Sequence, residues 1–266
     1  MILSNFHTHT KFCDGINTPE EMIEKAISLG FSALGFSSHC YAPYCSYGLK
    51  NEEEYIKEIY CLKEEYKNKI EVYCGIEEDC FSTVSRDKYE YIIGSCHYIE
   101  HNGQYLPFDS NLASFKNIIN LFNDDVETLS TKYYQHFCKY ILRRKPDIIG
   151  HFDHITKFSE VTEPRFLNNK IHDKIAEKYL KLTLPVGAIY EINTGAMARG
   201  YRTSFYPNFN LLKILKQNNA RIILSSDSHS AETLDFGFDK CLTFLKDFGF
   251  KKLTTIKGGE FVEFNI

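Results

Sequence analysis

Seven short apolar runs, rich in β-branched and aromatic residues, punctuate the chain at residues 2–6, 33–37, 71–76, 91–95, 148–149, 188–193 and 221–225. Helix-like segments lie between most of them, and all but the sixth run are followed closely by a histidine or an acid. His7 and His9 follow the first, His39 the second, Glu77 the third, His97 the fourth, His151 the fifth, and Asp227 and His229 the seventh. This pattern constrains the fold more than any other feature. Strands alternating with helices predict a parallel sheet, and if that sheet closes into a barrel the carboxyl ends of all its strands share one face. Residues more than 200 positions apart would then converge there.

The helical segments carry their own boundary signals. Thr18-Pro19-Glu20-Glu21 offers an N-cap, a proline at the first helical position and a capping-box glutamate, for a helix that closes at Gly30. Further helices are expected near 51–68, 111–122, 128–144, 166–182, 208–218 and 231–248, and a terminal hairpin or pair of edge strands at 253–256 and 261–264 around Gly258-Gly259. No Gly/Ser/Pro-rich linker interrupts the alternation, so residues 1–266 read as a single α/β domain.

Composition removes several classes of function. The 31 basic and 35 acidic residues give a formal charge of −4, with no basic run longer than Arg143-Arg144 or Lys251-Lys252, so a nucleic-acid partner has no electrostatic support. No run approaches the roughly 20 apolar residues that span a bilayer, and the opening residues lack a signal-peptide core; the reading is a soluble, cytoplasmic chain with no membrane partner. The nine cysteines are odd in number and contain no Cys-x-x-Cys, which fits buried free thiols better than a disulfide framework or a zinc ribbon.

The spacing of the histidines has a chemical sense. On an extended segment side chains alternate, so His7-Thr8-His9 turns both imidazoles to one side, where both reach one metal ion; Asp227-Ser228-His229 repeats the arrangement. Imidazole with carboxylate and no thiolate suits zinc, iron or manganese at a reactive site. Eight or nine such donors exceed the needs of one ion, and Glu77 can bridge two, so two or three divalent ions are expected. Any one motif has a plainer reading: a satisfied histidine pair, a strand-end acid, a loop dyad hydrogen-bonded to backbone. Glu78 and Asp79 read as supports behind the ligands or as solvated acids, and His154 as a surface or supporting residue.

His7-Thr8-His9-Thr10, Ser38-His39, Gly75-Ile76-Glu77, Gly94-Ser95-Cys96-His97, Ile149-Gly150-His151 and Ser226-Asp227-Ser228-His229 together resemble the motif series of the PHP (polymerase and histidinol phosphatase) superfamily. Their order and spacing, and the chain length, look most like its monofunctional histidinol-phosphatases. The resemblance covers nearly the whole chain. It implies a distorted seven-stranded (β/α) TIM-like barrel carrying a trinuclear metal centre. The first metal would take His7, His9, Glu77 and Asp227; the second Glu77, His97 and His151; the third Asp14, His39 and His229. Asp14 stands where some relatives carry histidine, and Asp14-Gly15 is also a turn signal.

The implied reaction is hydrolysis of a small phosphomonoester, with L-histidinol phosphate as the substrate that the resemblance indicates. Arg199, after the sixth strand, and Lys157, after His151, are placed to bind the phosphate. Metal-acidified water would attack phosphorus, with Glu77, Asp227 and His229 as the catalytic side chains and Asp227 or a nearby histidine relaying the proton to the leaving group. Tyr41, Tyr44 and Tyr105 are candidate cation-π partners for a cationic substrate, in loops at 40–50 and 98–111 long enough to cover it. A PHP-type phosphoesterase or nuclease with another substrate, and a binuclear amidohydrolase-like hydrolase, remain as rival readings. The first lacks a basic groove if its substrate is a nucleic acid, and the second expects a bridging lysine around strand four. A metal-dependent structural domain would call for closed sites.

Overall fold

The computed structural model describes residues 3–161 and 165–266. Its elements run β1 (Ser4–Asn5), α1 (Pro19–Ser28), β2 (Ala33–Phe36), α2 (Glu52–Tyr66), β3 (Glu71–Asp79), β4 (Tyr91–Ser95), β5 (Tyr98–His101) and β6 (Gln104–Pro107). There follow α3 (Leu112–Leu121), α4 (Val126–Arg144), β7 (Ile148–Ile149), α5 (Lys170–Thr183), β8 (Ile189–Asn193) and the single turn α6 (Gly195–Ala198). The chain continues with α7 (Phe209–Gln217), β9 (Ile222–Ser225), α8 (Phe238–Phe248), β10 (Lys252–Lys257) and β11 (Glu260–Asn265).

Seven strands pair in parallel in the order β1-β2-β3-β4-β7-β8-β9. A parallel bridge between Thr8 and Ser228, with His9 N donating to Ser228 O at 2.8 Å, joins the two edges just beyond the ends of β1 and β9. The sheet is thus a nearly closed barrel of the distorted TIM-like kind. The capping box at α1 forms as its sequence requires: the Thr18 hydroxyl accepts from Glu21 N at 3.2 Å, and the Glu21 carboxylate accepts from Thr18 N at 2.9 Å.

Inward-facing side chains alternate along each strand, and they sort by height. Phe6, Ala33, Tyr73, Tyr91, Ile93, Ile148, Ile189 and Ile223 fill the barrel, with Ile256 of β10 entering from its amino-terminal end. Tyr91 crosses this layer, and its hydroxyl donates to the carbonyls of Phe6 at 2.7 Å and Phe36 at 3.1 Å. Room for the ring comes from Gly35 and Gly75: a Cβ at either position would lie 2.3 or 2.2 Å from Tyr91 atoms, so any side chain there would evict it. The antiparallel β10–β11 hairpin covers that end, tied to β1 by the Ser4 and Thr255 hydroxyls 2.9 Å apart.

The elements depart from the sequence expectation in three places. β3 runs on to Asp79, so Glu77 and Asp79 are strand residues of the same parity and not loop residues. The segment expected as a covering loop at 98–111 begins as the β5–β6 hairpin, turning through Asn102 (φ 52°) and Gly103 (φ 77°). The last helix starts at Phe238, because Gly237 adopts φ 75° and separates α8 from a 3-10 turn at Ala231–Thr233. The expected first strand begins at residue 2, which lies outside the described residues; the described part is Ser4–Asn5. All nine cysteines are free, and Cys74 and Cys96 are fully buried.

Candidate metal centre

Above the apolar layer, the same strands deliver polar residues. His7 and His9 leave β1, His39 follows β2, Glu77 stands inside β3, His97 follows β4, His151 follows β7, and Asp227 and His229 follow β9. With Asp14, from the turn before α1, all nine expected ligands meet at the carboxyl end of the barrel.

Glu77 is the hub. Its Oε1 lies 3.2 Å from His151 Nε2 and 3.3 Å from both His7 Nε2 and His97 Nε2; its Oε2 lies 2.7 Å from His39 Nδ1 and 3.7 Å from His9 Nε2. Asp227 Oδ1 lies 3.1 Å from His9 Nε2 and 3.6 Å from His7 Nε2. Asp14 Oδ1 lies 3.3 Å from His229 Nε2 and 3.7 Å from His39 Nε2. Asp227 itself has φ 48°, a left-handed conformation that aspartate tolerates better than most residues, and this kink turns its carboxylate back over the barrel.

The electrostatics are those of a site built around cations. Burial alone would raise the Glu77 carboxyl, yet His39, His97 and His7 hold it well below the usual carboxylate range. Burial is likewise overcome at Asp227, by Arg199 and His7, and at Asp14, by His39 and His229, so both stay ionised. His9 is pushed down to about 3 by burial and by His229 and His39 beside it, which keeps its nitrogens free of a second proton. His7 Nε2 and His9 Nε2 are buried without a hydrogen-bond partner. Buried polar atoms are almost always satisfied. Imidazoles and ionised carboxylates with convergent unpaired atoms fit bound divalent ions, and the candidate ligand groups accommodate two or three of them.

Supports behind the ligands were only partly legible. Glu191, inside β8, is not among the sequence candidates: its Oε1 lies 2.5 Å from His7 Nδ1 and accepts from the Ser225 hydroxyl, while Oε2 accepts from His151 N at 2.6 Å and Asn193 Nδ2 at 3.0 Å. That carboxylate fixes the orientation of two ligand segments, as carboxylates commonly do for metal-bound histidines. A lone acid inside an apolar run, in phase with Ile189, was the signal. Asp79 accepts from His97 N at 3.0 Å and from the Tyr44 hydroxyl at 3.1 Å, so it supports His97. Glu78 instead pairs outward with Arg144 at 2.8 Å and with the Tyr140 hydroxyl.

A cavity of about 280 Å³ opens over the centre, lined in part by Tyr47, Asp109, Lys157, Arg199, Tyr201 and His229. Arg199, presented by α6, donates to Asp227 Oδ2 at 3.0 Å and to the Asp227 carbonyl at 3.1 Å. Lys157 is nearly buried, donates to the Asp109 carbonyl at 2.6 Å and lies 5.4 Å from the Tyr201 ring. Of the tyrosines singled out in the sequence, Tyr44 and Tyr105 pack on one another, tilted at 33° with ring centroids 4.4 Å apart, and Tyr41 is 67% exposed, away from the cavity. Tyr47 takes the place expected of them, edge-on to His39 at 4.8 Å. His154, read as a surface or supporting residue, is only 2% exposed.

Comparison with known proteins agrees with this architecture. A Schizosaccharomyces pombe protein named as a probable histidinol-phosphatase is 27% identical, across 95% of this chain and 89% of its own length. The Bacillus subtilis histidinol-phosphatase is 25% identical over 89% of this chain and 97% of its own. Among solved structures, histidinol phosphate phosphatase from Lactococcus lactis, crystallised with zinc, L-histidinol and phosphate, superposes with a TM-score of 0.73 at 20% identity, over 97% of this chain and 98% of that one. The profile of the PHP domain matches residues 5–195, well over half of the chain, and β9 with its Asp227 and His229 completes the barrel beyond that stretch. The chain belongs to the PHP domain family.

Proposed function

We propose that this protein is a metal-dependent phosphomonoesterase that hydrolyses L-histidinol phosphate to L-histidinol and phosphate, and that residues 1–266 form one catalytic domain. The observation that carries the reading is the junction of two features: nine metal-type donors, Glu77 among them, gathered at the carboxyl end of the barrel, and two cations, Arg199 and Lys157, on the wall of the cavity directly above. Relatives along nearly the full length bear the same activity in their names, and the Lactococcus lactis structure holds zinc, the alcohol and phosphate.

His7, His9, Glu77 and Asp227 would hold one ion, Glu77, His97 and His151 a second, and Asp14, His39 and His229 a third. When bound, divalent ions supply Lewis acidity, lowering the pKa of water and withdrawing charge from phosphoryl oxygens. The chain's own side chains do the rest. Arg199 and Lys157 bind the equatorial phosphate oxygens, and Arg199 also holds Asp227 in place through its 3.0 Å contact. Asp227, held ionised beside Arg199 and His9 and on the wall of the cavity, is positioned to take the proton of the attacking water and pass it toward the leaving alkoxide. Tyr47 and Tyr201 narrow the entrance around the organic part of a small substrate. The acidic balance of the chain argues against a polymeric nucleic-acid substrate.

The deciding experiment compares histidinol phosphate with p-nitrophenyl phosphate, a phosphodiester and a DNA end, using the metal-loaded protein. Histidinol phosphate should give much the highest kcat/KM; preference for the diester or the DNA end would replace this reading with a nuclease one. In the same assay Arg199→Ala should lose about 2–4 kcal/mol of transition-state stabilisation with metal content unchanged.

A further inference from the structure

We propose that His154 is an additional metal ligand, completing a three-imidazole position with His97 and His151. The inference rests on the reading of this site as a metal centre, and not on the identity of the substrate.

His154 sits in the 3-10 turn (His154–Thr156) that follows β7, three residues after His151. The turn lays the two imidazoles side by side, with ring centroids 4.1 Å apart and planes at 32°. The same spacing occurs elsewhere in the centre: His9 and His39 are 4.3 Å apart at 34°, and His9 and His229 are 4.1 Å apart at 21°. Those three histidines share the group around Asp14, so the structure repeats one arrangement of neighbouring ligands at a second place. His97 approaches from β4, and one potential ligand atom from each of His97, His151 and His154 lies within 4.8 Å of the others.

Hydrogen bonding assigns the two nitrogens of His154 different duties. Nε2 lies 3.1 Å from Asp109 Oδ2, and an ionised carboxylate can only accept, so Nε2 carries the proton. Burial would raise the Asp109 carboxyl, but Lys157 and His154 hold it down to leave it ionised. Nδ1 is then left with a lone pair. It is buried and has no hydrogen-bond partner, and the rings of Phe108 and Tyr206 that pack beside the imidazole present no donor to it there. Buried polar atoms are rarely left without a partner. A carboxylate on one nitrogen with the other free, on a ring that packs against His151 and His97, is the usual arrangement of a metal-bound histidine and its support.

The chemical consequence is selectivity. Since His97 and His151 both also face Glu77 Oε1, the position would offer three imidazoles and one shared carboxylate oxygen. Such a donor set favours zinc, iron or nickel over magnesium or calcium, whose sites are built from oxygen. Asp109 is a positioning residue in this scheme, acting through His154.

The test uses metal-free full-length protein titrated with zinc alone. His154→Leu should weaken one class of zinc sites by about 10–100-fold or more and leave the others unchanged, and Asp109→Asn should weaken the same class to a lesser degree. The visible spectrum of the cobalt-substituted protein should change in His154→Leu and keep its form in Asp109→Asn. In the unaltered protein, the 15N resonance of His154 Nδ1 should move on zinc addition, a readout that holds even if the leucine variant fails to fold. An unmoved resonance, or wild-type zinc affinities in a folded His154→Leu protein, overturns the proposal. Failure of the wild-type protein to bind zinc at all would instead overturn the reading of the site as a metal centre.

Discussion

The two ends of one barrel are built from the same strands and could hardly differ more. Toward the amino-terminal end, Tyr73, Ile93, Ile148, Ile189 and Ile223 pack a dry layer sealed by Ile256. One strand pair shows the change: Ile189 belongs to that layer, and two residues on, Glu191 faces the centre with three hydrogen-bonded neighbours from other segments. In β3 the step runs from Tyr73 through Gly75 to Glu77. Alternation means that a two-residue step keeps a side chain inside the barrel while raising it about 7 Å. Packing and chemistry are therefore separated along the barrel axis, and a substitution's effect should depend on its height.

The largest effect should come from the upper layer. Glu77→Gln removes the charge that five histidines face, and should cost at least about 4 kcal/mol in catalysis, roughly three decades in kcat/KM. Elemental analysis should show ions lost along with activity, while urea denaturation of the metal-free protein shows a smaller change. A variant that keeps full metal content and rate would erase the distinction between the two ends.

A histidine belonging to neither layer sharpens the comparison. His172, on α5, is fully buried against the Ser130 hydroxyl at 2.9 Å, and burial, with Arg202 nearby, pushes it down to about 4. It stays neutral in the fold down to that pH but takes up a proton below about 6.5 once unfolded. Metal-free protein should therefore lose stability as pH falls from about 6.5 to 4, with His172 contributing about 3 kcal/mol of the loss. The fall should be correspondingly shallower in His172→Phe, measured by denaturant titration across that range. Equal slopes in the two proteins would show that His172 carries none of the acid sensitivity.

The smallest effect belongs to the lower layer. Ile223→Val deletes one methyl group from a fully packed position and should cost about 1 kcal/mol of stability. Its kcat, per folded molecule, should match wild type. A lowered kcat with unaltered stability would show that the dry layer sets the geometry of the centre, against the separation argued above.

The same separation explains what the sequence disclosed. Ligands that stand just past a strand break the apolar run and are visible as punctuation, which is why His7, His39, His97, His151 and Asp227 could be placed from spacing alone. Glu191 lies inside its strand, where only its parity marks it; Asp79 and Glu78 read alike as supports or solvated acids, and only the continuation of β3 three residues beyond its apolar part tells them apart. Tyr47 and Asp109 reach the cavity through loop conformations that no periodicity encodes. The β5–β6 hairpin did carry a signal, Asn102-Gly103, overshadowed by the expectation of a covering loop. Helix ends marked by caps, such as Thr18 at α1 and Asn51 at α2, came within a residue or two of their observed positions.

The bridge between Thr8 and Ser228 has a consequence for how the protein comes into being. His7 and His9 emerge from the ribosome more than 200 residues before Asp227 and His229. At about 5–20 residues per second of synthesis, the early histidines wait at least ten seconds for the partners that complete their coordination. An interrupted translation product that stops short of β9 holds most of the donors and none of the closure. The group that needs Asp227 is thereby assembled only after β9 is made, and the contact that shuts the barrel also reports that its seventh strand is in place.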